Sequence, residues 1–317
     1  MRRLALLAAV TSAAVAVAGC GAQRVGMRPA ILPTTSAPAG QPKLVTALTA
    51  TTQVAHTADG AVGYRELGSG PTLLLIMGFG GTLDSWQPSF VDALAATHTV
   101  VLLDNAGIGK TAALPAPLTI TAMAQQTDAL LRSLHLGRVD VLGWSMGGMI
   151  AQALTATHPG DVRRLVLAAT LPGDGHATLP TAAVVATLSK AATSSTALLS
   201  LLFPDSTAGT AAATTYVGGI FSYPDQESPS AAALQQQGLA LASWTGGKEP
   251  AGDHLGAITN PTLVADGSVD TLAPPANSRT LAATIPHATL HLYAGAAHAF
   301  LFQDESAFVP TVLSFLG

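Results

Sequence analysis

One short window of the chain carries residues arranged for nucleophilic chemistry. Gly143-Trp144-Ser145-Met146-Gly147-Gly148 follows the apolar run Val139 to Leu142 and opens a helical pattern from Met146 to His158. A serine with glycine two places before and two places after it, between a strand and a helix, stands on a sharp turn. Its backbone is strained there, and the glycines leave room for the tight approach. The spacing alone is a weak signal, and the strand before and helix after give it weight. A serine hydroxyl is a poor nucleophile at neutral pH. It needs a base within hydrogen-bond reach and a third group that fixes the base's tautomer. The chain offers nine histidines and 18 acidic residues, so position must select among them.

Other chemistries fail on the same reading. Gly109-Lys110-Thr111 resembles the end of a phosphate-binding loop, but the first glycine of that loop would fall at Asp104. Gly78-Phe79-Gly80 lacks the third glycine of a dinucleotide fingerprint, since Leu83 stands there. No His-Glu-x-x-His run occurs, and one cysteine excludes a disulfide framework or a Cys-rich metal site. Asp253-His254 reads as a polar surface turn. A net charge of −4 with 14 lysines plus arginines argues against nucleic acid as a partner. Hydrophobic residues at 49% against 10% charged exclude a disordered chain. The expectation is therefore a small-molecule site with no metal and no cofactor.

The elements that must position the serine follow from periodicity. Thr51 to His56 and Val62 to Leu67 predict a hairpin turning at Asp59-Gly60. Leu73 to Met77, Thr99 to Leu103, Val139 to Leu142, Leu165 to Ala169, Thr262 to Ala265 and Thr289 to Tyr293 are short apolar runs. Continuous rather than alternating, they predict parallel strands buried on both faces. Helical patterns at Leu83 to Ala96, Thr121 to Leu134, Met146 to His158, Pro275 to Ile285 and Glu305 to Phe315 lie between and after them. The fold class is α/β, with a mostly parallel central sheet and helices on both faces. About ninety residues separate the runs at 165–169 and 262–265, too many for a loop. Residues 171–257 therefore predict a mostly helical cap insertion in a domain spanning 51–317, with an apolar substrate pocket.

The N-terminal end is different in kind. Arg2 and Arg3, the apolar stretch Leu4 to Val17 and small residues at 18 and 19 predict a signal peptide over 1–19. Val17-Ala18-Gly19-Cys20 resembles the lipobox of bacterial lipoproteins. That resemblance implies acylation of Cys20 (palmitate-type chains) and a membrane anchor on the outer side of the plasma membrane. Ordinary secretion is the alternative. Residues 20–50, with Pro29, Pro33, Pro38 and Pro42 among small residues, predict a flexible tether.

The segments Leu74 to Gly80, Leu103 to Gly109, Gly143 to Leu167, Gly267 to Asp270 and Gly295 to His298 occur in order, each at a strand end. Through them, residues 60–317 resemble the α/β-hydrolase superfamily, in the branch with esterases, enol-lactonases and cofactor-free haloperoxidases. The resemblance implies an α/β-hydrolase fold and a serine hydrolase cleaving a carboxylic ester, thioester or lactone. Perhydrolase chemistry on the same residues is an alternative, and so is a non-catalytic envelope binding protein of this fold. It implies His298 as base, since His291 lies inside the last strand and His287 precedes it. It implies Asp270 as the acid, with Asp266 as runner-up and Asp174 a distant third. The backbone N–H groups of Phe79 and Met146 become the oxyanion donors. Met77-Gly78 replaces the His-Gly of many relatives, and Ala106 stands where relatives often carry arginine. Asp104 and Gly107 are then expected only to shape a turn. No oligomeric state is legible.

Overall fold

The apolar runs become the interior of one sheet. The computed structural model describes residues 45–191, 194–224 and 226–317; Cys20 and the segment 1–44 lie outside the described residues. The strands are β1 Gln53–Thr57, β2 Gly60–Gly68, β3 Thr72–Ile76, β4 Thr99–Leu103, β5 Val139–Trp144, β6 Val162–Ala168, β7 Thr262–Gly267 and β8 Ala288–Tyr293. They pair in the order β1-β2-β4-β3-β5-β6-β7-β8. β1 and β2 form an antiparallel hairpin, β2 lies antiparallel to β4, and every other pairing is parallel. β5, which carries the serine turn, thus runs between β3 and β6.

Alternation of side chains across the sheet fixes the layers. Leu74, Ile76, Val101, Leu103, Val141 and Leu167 face one way. They pack on helices α2 (Ile120–Ser133), α3 (Met146–Thr157) and α8 (Ala276–Thr284). Leu73, Leu75, Val100, Leu102, Leu142 and Val166 face the other way, onto α1 (Pro88–Ala95) and α10 (Glu305–Leu316). Both faces are covered, which is why these strands read as unbroken apolar runs.

Between β6 and β7 lie α4 (Ala182–Ala191), α5 (Ser195–Leu202), α6 (Thr207–Ile220), α7 (Ala231–Thr245) and a 3-10 segment, Pro250–Ala257. Ser194, Ser206 and Ser230 each cap the helix that follows, accepting from a backbone N–H three residues on. The insertion is fastened to the sheet domain by side chains. The buried Glu249 carboxylate accepts from Ile120 N, Thr121 N and Thr121 Oγ1 at the start of α2. Gln236 Oε1 accepts from Leu118 N. No helix among the described residues is long and apolar enough to cross a membrane.

Three expectations change. The helix expected over Leu83 to Ala96 is broken. A 3-10 turn, Leu83–Ser85, ends at the extended residues Trp86 and Gln87, and α1 starts at Pro88. Proline lacks the N–H a helix interior needs and holds the preceding residue extended, but suits a first turn. A short helix, α9 (Phe300–Gln303), adds to the expected set. The stretch read as tether up to residue 50 is already folded at its end: Ala47 is buried and its N–H donates to Asp92 Oδ1 at 2.7 Å.

The foot of β5 is tied to β6 by Asp140, which is fully buried and takes both the Nε and Nη2 of Arg163. Removing one partner of a buried pair costs about 3–5 kcal/mol. The Arg163 side chain is 34% exposed and can turn to water, so Asp140→Ala is expected at the lower end, about 3 kcal/mol by urea unfolding. A loss under about 1 kcal/mol would show that the pair does not hold the strand.

Candidate active site

Ser145 occupies a backbone conformation that side chains rarely adopt, φ +57° and ψ −121°. Serine is a favoured helix N-cap, yet here it makes no side-chain cap bond to α3. The positive φ turns the hydroxyl out of capping range and leaves it for other work. The turn closes only without side chains on its glycine neighbours. A Cβ on Gly143 would stand 2.3 Å from Gly147 O, and one on Gly147 would stand 2.0 Å from Ile76 O. Ser145 N donates to Ala168 O, and Ser145 O accepts from Gly148 N and from Thr170 Oγ1.

The hydroxyl meets an imidazole. Ser145 Oγ lies 2.9 Å from His298 Nε2, and His298 Nδ1 lies 2.7 Å from Asp270 Oδ2. Asp270 and His298 are both buried. Asp270 stands after β7, and its second oxygen, Oδ1, accepts from Leu272 N and Ala273 N. That fixes the carboxylate plane, which in turn fixes the imidazole edge. His298 follows β8, and its carbonyl accepts from Trp144 Nε1 at 3.0 Å. The indole also lies beside the imidazole, with ring centroids 5.6 Å apart. Residue 144 thus locks the histidine loop from the chain position next to the serine. With a carboxylate on Nδ1, Nε2 is free to accept the hydroxyl proton.

The structure brings Ser145, His298 and Asp270 together and leaves the competitors elsewhere. His287 and His291 are exposed. Asp174 Oδ1 accepts from His176 N in a loop turn. Asp253 and His254 are exposed in the 3-10 segment. Asp266 is fully buried at the end of β7, and its Oδ2 accepts from Ser278 Oγ at 2.6 Å. Burial first, and then the negative charge of Asp270, push its pKa well above the usual carboxylate range. Asp266 is a neutral acid beside the carboxylate that holds the histidine.

The loop after β3 lies against the serine. A Cβ on Gly78 would stand 3.2 Å from Ser145 Cβ and 3.7 Å from its Oγ. Phe79 is the next residue, and Met146 begins α3, whose N-terminal end carries partial positive charge toward the same place. Met77 is buried, and its carbonyl accepts from Asn105 Nδ2 at 2.7 Å. Asp104 does more than shape a turn. Its Oδ1 accepts from Leu83 N, joining β4 to the segment after the β3 loop. Burial raises its pKa to about 6, against the opposing pull of the Leu83 and Lys110 backbone donors. Sequence reasoning missed Trp144, Asn105 and Gln237, whose Oε1 accepts from Gly80 N at 2.9 Å. Among the described residues no cluster of histidine, cysteine and acidic side chains fits a metal ion.

A mostly parallel sheet with helices on both faces, a serine turn after its central strand, and acid and histidine at later strand ends define the α/β-hydrolase fold. The chain belongs to the alpha/beta hydrolase fold family, whose family model matches residues 71–305. It is 31% identical over 247 residues to a poly(3-hydroxyalkanoate) depolymerase of Ectopseudomonas oleovorans, covering 77% of this chain and 83% of that one. Among solved structures it is similar to an alpha/beta hydrolase fold protein from Chitinophaga pinensis. There the TM-score is 0.75 at 26% identity, over 86% of this chain and 99% of the other. It is also similar to the enol-lactonase from Burkholderia xenovorans LB400, with TM-score 0.66 at 25% identity, over 83% and 99%.

The raised Asp266 has a measurable consequence. An unfolded chain releases this proton above about pH 4, whereas the fold retains it. The stability this carboxyl contributes is complete below that pH and is lost as pH rises through the raised value. Asp266→Asn has no proton to lose. Its unfolding free energy relative to wild type should therefore improve steadily from pH 5 to pH 8 in urea titrations. A difference that is flat over that window would mean Asp266 is ionised in the fold.

Proposed function

We propose that this protein is a serine hydrolase that cleaves a carboxylic ester, thioester or lactone through an acyl-enzyme. The observation that carries the reading is the unbroken chain Ser145 Oγ, His298 Nε2, His298 Nδ1 and Asp270 Oδ2, at 2.9 and 2.7 Å. In the proposed cycle, Ser145 Oγ attacks the carbonyl carbon as its proton passes to His298 Nε2. Asp270 stabilises the resulting imidazolium and keeps its proton on Nδ1. The carbonyl oxygen becomes an oxyanion held by the N–H groups of Phe79 and Met146. Collapse expels the alkoxide, thiolate or ring oxygen, which takes the proton from His298. Water then attacks the acyl carbon, giving its proton to His298, and Ser145 leaves with that proton. The likeness to relatives named for a poly(3-hydroxyalkanoate), which is a polyester, and an enol-lactone, which is a cyclic ester, supports ester-type bonds as the substrate class. The apolar composition of the insertion supports an apolar substrate.

A panel of nitrophenyl esters of rising acyl length tests this reading together with an organophosphonate probe. The probe should add one label to wild type and none to Ser145→Ala. Asp270→Asn should lose about 10⁴-fold in kcat, whereas Asp266→Asn, which mimics a neutral acid, should stay within severalfold of wild type. Labelling that persists without the Ser145 hydroxyl, or the reverse ranking of the two aspartates, would overturn it.

We also propose that the enzyme is lipid-anchored through Cys20 on the outer side of the bacterial plasma membrane. The arginine pair, the apolar run and the small residues before the only cysteine support this. Removal of residues 1–19 takes Arg2 and Arg3 away, so acyl chains on Cys20 would supply the anchor. Wild type should partition into detergent with acyl mass on residue 20, and Cys20→Ser should not. Identical soluble behaviour of the two would mean simple secretion.

A further inference from the structure

The loop after β3 is held from the side of the insertion. Gln237 on α7 is completely buried, 0% exposed, and both ends of its amide are used. Oε1 accepts from Gly80 N at 2.9 Å, and Nε2 donates to Ala106 O at 3.4 Å. Gly80 has φ +67°, and a Cβ there would stand 2.7 Å from Leu234 Cδ2, so α7 rests directly on the turn. Two further side chains of the insertion reach the same segment. Tyr216 donates from its hydroxyl to Ser85 O at 2.9 Å, and Tyr223 to Trp86 O at 3.0 Å. On the histidine side, Ala299 N donates to Leu202 O at the end of α5.

Peptide planarity gives these bonds a specific effect. Each peptide group is rigid, so a residue's orientation is set once the planes on either side of it are fixed. The plane between residues 78 and 79 is held by Gly81 N donating to Gly78 O at 3.3 Å. The plane between 79 and 80 is held by Gly80 N donating to Gln237. The Phe79 N–H lies in the first of these planes, and holding the second restricts rotation about both Phe79 backbone bonds, so the first plane cannot turn without straining the Gly80–Gln237 bond. Of the two clamps, one is local and the other is supplied by the insertion.

We propose that the insertion is a working part of the oxyanion hole, with Gln237 as a positioning residue that aims the Phe79 N–H at the reacting carbonyl. The proposal rests on the oxyanion role given to Phe79 above. The insertion then does two jobs: it covers the site, and it completes the donor pair on which the tetrahedral intermediate depends. Preorganised donors act by being fixed before charge develops, so slackening this clamp lowers turnover without removing any group that touches substrate.

The test compares wild type with Gln237→Met, Gln237→Glu and Tyr216→Phe on one nitrophenyl ester. Inhibition by an alkyl boronic acid, whose serine adduct is tetrahedral, is measured alongside. Removing an oxyanion donor outright costs about 10²–10³ in kcat. A misaimed donor should cost less, so Gln237→Met is expected to lose about 10- to 100-fold in kcat with KM within about threefold. Boronic acid affinity should fall by a similar factor. Tyr216→Phe cuts a tie farther from Phe79 and should keep kcat within about threefold while lowering the melting temperature. Gln237→Glu supplies the internal control. A carboxyl of the same shape accepts from Gly80 N in either protonation state, so its kcat should stay within about threefold of wild type across the pH range. Gln237→Met, which lacks that acceptor, should keep its loss over the same range.

Unchanged kcat in Gln237→Met would overturn the proposal. So would a loss confined to KM or to thermal stability, with boronic acid affinity kept. Should Gln237→Met fail to fold, the decision passes to Gln237→Asn, whose shorter side chain withdraws the acceptor and must lose kcat where Gln237→Glu keeps it. Failure of the underlying reading looks different: wild type itself would not be labelled at Ser145.

Discussion

The conformation of Ser145 is the constraint on which the rest of the architecture depends. A non-glycine residue at φ +57° costs about 1–3 kcal/mol and persists only where its surroundings dictate it. Here they do so from three sides. β5 enters the turn paired on both edges, with β3 and β6. Ala168 O accepts from the Ser145 amide, and Thr170 Oγ1 donates to its carbonyl. Gly143 and Gly147 let backbone approach where any side chain would collide. The reward is a hydroxyl withdrawn from helix capping and directed at His298. A central, doubly paired strand is needed because an edge strand could relax away from the strain.

The acidic residues around this turn show how environment divides one chemistry into several roles. Asp270 accepts from two backbone amides and faces the imidazole, so its charge has partners on every side. Asp266, four residues earlier, is fully buried beside Asp270, and that burial outweighs the Ser278 hydroxyl and the Gly267 backbone donor that favour its charged form. Burial pushes Asp104 up to about 6, with the Leu83 and Lys110 backbone donors pulling the other way. The balance between burial and the donors each loop directs at its carboxyl is a feature of backbone geometry that residue type alone does not carry. A protonated Asp266 places no second negative charge beside the Asp270–His298 bond.

Much of the fold was legible because the decisive residues are those whose alternatives are physically excluded. The strands β3 to β7 could be read as apolar runs because both faces are covered. Ser145 could be read because the glycine spacing has a steric reason. His298 and Asp270 stood at strand ends where a loop can converge on the turn, and the structure places them within hydrogen-bonding distance of one another. What escaped had no local signature. Gln235, Gln236 and Gln237 are identical in sequence, yet the first is exposed, the second takes Leu118 N and the third is buried on Gly80 N. Only the rotation of α7 against the β3 loop separates them. Trp144 is likewise one of three tryptophans, and its bond to the His298 carbonyl spans 154 positions that no periodicity connects.

An insertion fastened in this way cannot be regarded as a passive lid. Its side chains end on the backbone of Gly80, Ser85 and Trp86, and on the first turn of α2 through Glu249. Backbone groups are present whatever the residue type, so the sheet domain offers this insertion fixed points of attachment that its own sequence changes do not erase. The burden of matching falls on the insertion. Any sequence filling the space over this sheet has to shape a pocket and also meet the free N–H of Gly80, because an unpaired buried amide would cost about 1–3 kcal/mol beside the reacting atoms. A residue that satisfies that amide also fixes the turn next to Ser145. On the oxyanion role proposed for Phe79, a change on α7 that loosens this bond acts on the turn beside Ser145 as well as on the insertion.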